Sequence, residues 1–210
     1  MPYLALLGDS VLDNQAYVQG GPSVVMQVRT HLPPSWKCDL FAVDGSTTQD
    51  IADQLTRLPS DVTHLVLSVG GNDAILRADV LDAKVESTAE AFTLLADAAQ
   101  VFERSYRHTV DACLTKKLPL VVCTIYGGNF ESPEYQTAVR VALLAFNDVI
   151  VSAAVTHGLR VVDLRRVCDR PEDYANPIEP STIGGQKIAL ALVAAVLEQA
   201  SPGCGARIVG

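Results

Sequence analysis

Apolar positions along this chain fall into two alternating rhythms. Short, nearly unbroken apolar runs occupy residues 3–7, 38–43, 64–69, 118–125 and 159–164. The third, His64-Leu-Val-Leu-Ser-Val69, is typical: branched residues dominate and hardly a polar position interrupts them. Runs of this kind read as strands buried on both faces. Between them the apolar residues return every three or four positions, as helices do. Helices are expected over 23–32, 49–58, 87–117, 132–157 and 185–199. In the longest, Phe92, Leu95, Ala99, Phe102, Tyr106, Val110 and Cys113 form a single stripe. Ser132-Pro133-Glu134 opens the next helix, with proline at its first position, and His157-Gly158 closes it. Ser201-Pro202-Gly203 stops the last. Strands alternating with helices predict a parallel sheet covered on both sides. The expectation is one α/β domain over residues 1–210, a three-layer α/β/α sandwich on five strands.

Such sheets bind ligands beyond the carboxyl ends of their strands. Gly8-Asp9-Ser10 follows the first strand and Asp44-Gly45-Ser46-Thr47-Thr48 the second. Gly70-Gly71-Asn72-Asp73 follows the third, and Tyr126-Gly127-Gly128-Asn129 the fourth. The fifth leads through a polar loop to Asn176-Pro177-Ile178-Glu179-Pro180-Ser181. Polar residues and glycines therefore crowd one edge of the sheet.

Composition narrows the choices. With 49% hydrophobic and 19% charged residues the chain is not disordered. The net charge of −8, without any basic cluster, argues against nucleic acid as a partner. The five cysteines are scattered and contain no CxxC, which argues against a disulfide framework and a zinc site. Free thiols, and an amino terminus without a basic leader, point to the cytoplasm. No run reaches the ~18 residues of a membrane span. A phosphoacceptor domain would need an acidic neighbour for Asp9 and a lysine after the fifth strand, and neither is present. No phosphate-binding glycine motif follows the first strand.

The ordered blocks resemble the SGNH, or GDSL, hydrolase superfamily over almost the whole chain. Gly8-Asp9-Ser10-Val11 is similar to its first block, Gly45 matches the second, and Gly70-Gly71-Asn72-Asp73 matches the third. The resemblance implies a flavodoxin-like sheet of order 2-1-3-4-5. It also implies a serine nucleophile, Ser10, acting on a small acyl substrate without metal or organic cofactor. The backbone N–H groups of Ser10 and Gly45 and the Asn72 amide would form an oxyanion hole. Asp9, Asp73 and Tyr126 would contact substrate. Each also has a plainer reading: Asp9 bonding its own turn, Asp73 capping a helix, Tyr126 ending a strand.

The fourth block departs from the family's Asp-x-x-His. Here Asn176-Pro177-Ile178-Glu179 precedes the final helix. His31 and His108 fall in helices, and His64 and His157 lie at the opposite edge, so none replaces the base. Two readings follow. Glu179 is the base, its pKa raised by burial and its carboxylate oriented by the Asn176 amide. Alternatively, hydrolysis is lost and the site holds an acyl or carbohydrate ligand.

Overall fold

The computed structural model describes residues 1–198 and 207–210. Its strands are β1 (Tyr3–Gly8), β2 (Lys37–Leu40), β3 (His64–Ser68), β4 (Leu120–Cys123), β5 (Arg160–Val162) and β6 (Arg207–Val209). The helices are α1 (Val24–His31), α2 (Ile51–Thr56), α3 (Gly71–Ile75), α4 (Thr88–Leu114), α5 (Pro133–His157), α6 (Leu164–Val167) and α7 (Thr182–Leu197). All neighbouring strands pair in parallel, in the order β2-β1-β3-β4-β5-β6. The expected order 2-1-3-4-5 is present, and a sixth strand is added. Arg207-Ile208-Val209 is too short to stand out as an apolar run. It becomes a strand because the open edge of β5 offers it backbone partners. The helix stop at Ser201-Pro202-Gly203 lies outside the described residues, as does Cys204.

The unbroken apolar character of the strands follows from their two covered faces. Tyr3, Ala5 and Leu7 of β1 join a core with residues of α2, α4 and α5, whereas Leu4 and Leu6 point to the opposite core with α1 and α7. The long α4 and α5 pack against each other on one side of the sheet, and α1 and α7 on the other. Ser87 caps α4 by accepting from the Glu90 N–H, and Ser132 caps α5 by accepting from the Tyr135 N–H. Gly158 ends α5 at φ +63°. A stretch within α5 is long and apolar enough by length and composition to cross a membrane, although no uncharged run of that length occurs in the sequence. Here it is a covering helix, packed on α4 and the sheet.

Candidate active site

The loops after β1, β2 and β3 and the segment before α7 meet at one edge of the sheet, and buried amides tie them together. Gly8 ends β1 at φ +139°, where a Cβ would fall 1.8 Å from the Ser68 carbonyl oxygen, so only glycine fits. The Gln54 side chain clamps this residue. Its Oε1 accepts from the Gly8 N–H at 2.8 Å, and its Nε2 donates to the Gly8 carbonyl at 2.7 Å and to Ser46 Oγ at 3.2 Å. Asn72 Nδ2 donates to the Ser46 carbonyl at 2.8 Å, joining the second and third loops. Asn14, fully buried, donates to the Pro180 carbonyl at 3.1 Å and accepts from the Val24 N–H at 2.8 Å, joining the first loop to the fourth.

Ser10 and Glu179 come together here. Both are buried, 7% and 4% exposed, and both line one cleft. The Ser10 hydroxyl lies close enough to the Glu179 carboxylate to favour its charged form, although no hydrogen bond of full geometry joins them. Glu179 Oε2 is buried without a hydrogen-bond partner among the described residues. Burial raises the Glu179 pKa, the Ser10 hydroxyl opposes that rise, and Asp44 adds to it. The backbone N–H groups of Ser10 and Gly45 make no hydrogen bond among the described residues. Gly45 takes φ +80°, and it is not among the residues lining the cleft, whereas Asn72 is.

The structure revises the expectations for Asn176 and Asp73 and adds a partner for Tyr126. Asn176 does not orient the carboxylate. Its Oδ1 accepts from the N–H groups of Ile178 and Glu179, both at 2.9 Å, and so shapes the turn that presents Glu179. Asp73 neither caps a helix nor lines the cleft. The cap of α3 is Gly70, and the Asp73 carboxylate accepts from the Thr48 hydroxyl at 2.5 Å and its N–H at 3.1 Å. Tyr126 lines the cleft, but its hydroxyl donates to the Ile178 carbonyl at 2.7 Å, steadying the Glu179 loop. Asp9 combines both of its readings. It lines the cleft, and its Oδ1 accepts from the Val11 N–H at 3.1 Å. At 2% exposure its pKa is pushed up to about 8, chiefly by burial, with Glu179 and Asp73 adding repulsion.

Beyond these polar groups the cleft is apolar, about 1020 Å³ including its open mouth. Val80 and Leu81, Leu95 of α4, and Val139, Leu143 and Phe146 of α5 form its walls. Sequence reasoning missed this wall, as well as Gln54 and Asn14. A polar side chain inside an apolar helix face was the one signal that could have pointed to Gln54. The described residues contain no group of histidine, cysteine and carboxylate side chains able to hold a metal ion.

Residues 6–184 match the model of the GDSL-like lipase/acylhydrolase family. The chain belongs to that family. The match spans all four loops of the cleft edge, including the segment where Asn-x-x-Glu replaces Asp-x-x-His. Membership makes the protein a hydrolase of the lipase and esterase class. No curated protein sequence matches it. Solved structures share the fold at low identity. An extracellular lipase from Streptomyces rimosus is 19% identical at a TM-score of 0.71, covering 93% of this chain and 100% of that one. A phospholipase A1 from Streptomyces albidoflavus NA297 is 18% identical at 0.67, covering 90% and 98%. An acetyl xylan esterase is 17% identical at 0.68, covering 93% and 100%. At these identities the family members agree in backbone architecture, and this chain's own residues must carry any argument about chemistry.

Proposed function

We propose that this protein hydrolyses esters of apolar acyl groups, with Ser10 as nucleophile and Glu179 as general base. The observation that carries the reading is the burial of the Ser10 hydroxyl beside the Glu179 carboxylate at the polar end of an apolar cleft. A Glu179 turned to solvent would have favoured a site that binds without chemistry.

In the acylation step the Ser10 hydroxyl oxygen bonds to the ester carbonyl carbon and its proton passes to Glu179. The negative charge that develops on the carbonyl oxygen is taken up by the Ser10 and Gly45 N–H groups and the Asn72 amide. The carbon–oxygen bond to the alcohol then breaks, and the departing oxygen takes the proton from Glu179. Water repeats the sequence on the acyl-serine, giving a proton to Glu179 and releasing the carboxylic acid as Ser10 recovers its own. A free Glu, with a pKa of ~4.3, is a weak base for this task. Burial strengthens it by raising that value. Asp9, held mainly protonated at neutral pH, adds little competing negative charge.

The test uses p-nitrophenyl esters of increasing chain length. Turnover should increase from acetate to octanoate, and Ser10→Ala should abolish it. Glu179→Gln keeps size and polarity and should lower turnover by roughly 10²–10⁴. The parent's rate should rise with pH through one group titrating above the free-Glu value. Equal rates for Glu179→Gln and the parent between pH 5 and 9 would remove Glu179 as the base.

A further inference from the structure

A second groove lies against the cleft, and the two share Ile125, Gly127, Gly128 and Leu143 as a common wall. Its distinguishing feature is arginine: Arg140, Arg165 and Arg170 all line it, on a chain whose net charge is −8. The three are not equivalent. Arg165 is neutralised by Asp163, which accepts from its Nε at 2.7 Å and from its Nη2 at 2.8 Å. Arg170 forms loose ion pairs with Asp169 and Glu172, at 4.0 and 3.9 Å, without a hydrogen bond to either. Arg140 has no carboxylate partner among the described residues. Its stem lies across Gly127, where a Cβ would come within 3.2 Å of Arg140 Cγ and 3.3 Å of Nε. Asp169 is the one acidic side chain in the lining. Arg140 thus stands without a carboxylate partner among the described residues, one shared wall away from Ser10 and Glu179.

We infer that the groove receives the alcohol portion of the substrate, and that this portion carries an oxyanion such as a phosphate or sulfonate. The inference rests on the ester-hydrolase reading above. An ester has two sides. The apolar cleft suits the acyl side, and the adjoining groove is then the place for the leaving group. A guanidinium without a carboxylate partner offers donors that match an oxyanion. Arg140 and Arg170 come from different elements, α5 and the loop before the Pro171–Asp173 turn, and both line the groove.

The experiment compares p-nitrophenyl hexanoate with the same ester carrying a ring sulfonate. The parent should prefer the sulfonate, and that preference should shrink as salt is raised. The ratio of kcat/KM, anionic over neutral ester, should fall about tenfold in Arg140→Gln/Arg170→Gln, the scale of one or two charge-assisted contacts. Arg140→Lys should retain part of the ratio. A ratio that is the same in parent and double variant, at low and high salt, overturns the inference while leaving ester hydrolysis standing. A second arm measures binding of the corresponding uncleavable anilides by calorimetry. If no ester turns over but the sulfonated anilide binds more tightly than the neutral one, and only with the arginines present, the hydrolase reading fails and the groove stands. Equal binding of both anilides to parent and double variant overturns the groove as well.

Discussion

Asn176 sits in the register of the family's catalytic acid yet works on the backbone. Two N–H groups, of Ile178 and Glu179, converge on its Oδ1, and neither bond touches the Glu179 carboxylate. Asn176→Ala should therefore lower stability by about 1 kcal/mol, the net worth of such side-chain bonds, and reduce turnover far less than Glu179→Gln does. Asn176→Asp keeps the accepting oxygen and should keep that stability, as denaturant melts would register. A loss of turnover in Asn176→Ala as deep as in Glu179→Gln would return Asn176 to the chemistry. Sequence position placed Asn176, Ser10, Asn72 and Glu179 at one edge because each follows a strand or precedes a helix whose pattern is plain. What each side chain touches depends on rotamers and loop closure, which pattern does not encode. The same limit explains Asp73, turned to Thr48, and Tyr126, whose hydroxyl is taken by Ile178.

At the scale of elements, α4 divides in two. Its expected stripe is buried at Phe102, Tyr106, Val110 and Cys113, but Phe92 is 62% exposed. In its amino-terminal part the stripe flanks the cleft, to which Leu95 contributes a wall. Periodicity reports the face of a helix and not how far the sheet extends beneath it. Within the buried half, the Tyr106 hydroxyl has no hydrogen-bond partner among the described residues, and burial pushes its pKa well up. Leaving a hydroxyl unpaired in an apolar core costs free energy, so Tyr106→Phe should stabilise the protein by about 1 kcal/mol. Denaturant unfolding measures it. A loss of stability instead would mean that the hydroxyl is satisfied in solution.

For the whole molecule, stability against pH is set by carboxylates shifted in opposite directions. The Tyr3 hydroxyl and Lys37 hold Asp39 below its ordinary pKa. Burial works against Asp163, but hydrogen bonds from Arg165 and Thr124 prevail and lower it. These two stabilise the fold above the unfolded-state value, and their contribution is lost as pH falls through the folded one. Asp9, Asp73 and Glu179 are raised, mainly by burial. Their contribution is complete below the unfolded-state value and is lost as pH rises through the folded one, which for Asp9 is about 8. The melting temperature should therefore peak in mildly acidic solution and decline towards pH 8. Asp9→Asn, neutral at every pH, should flatten that decline, with its advantage over the parent widening between pH 5 and 8. A parallel decline in parent and variant would mean that Asp9 is ionised in the folded protein below that range. Sequence alone determined five strands, their parallel pairing and the edge at which Ser10, Gly45, Asn72 and Glu179 gather, because burial on two faces and the turns after strands leave periodic and local traces, while the order of those strands came from the family resemblance. Tertiary structure alone decided the sixth strand, the Gln54 and Asn14 clamps, the apolar cleft and the arginine groove beside it. Each of these depends on contacts between residues far apart in the chain, and no local pattern records which distant surfaces will meet.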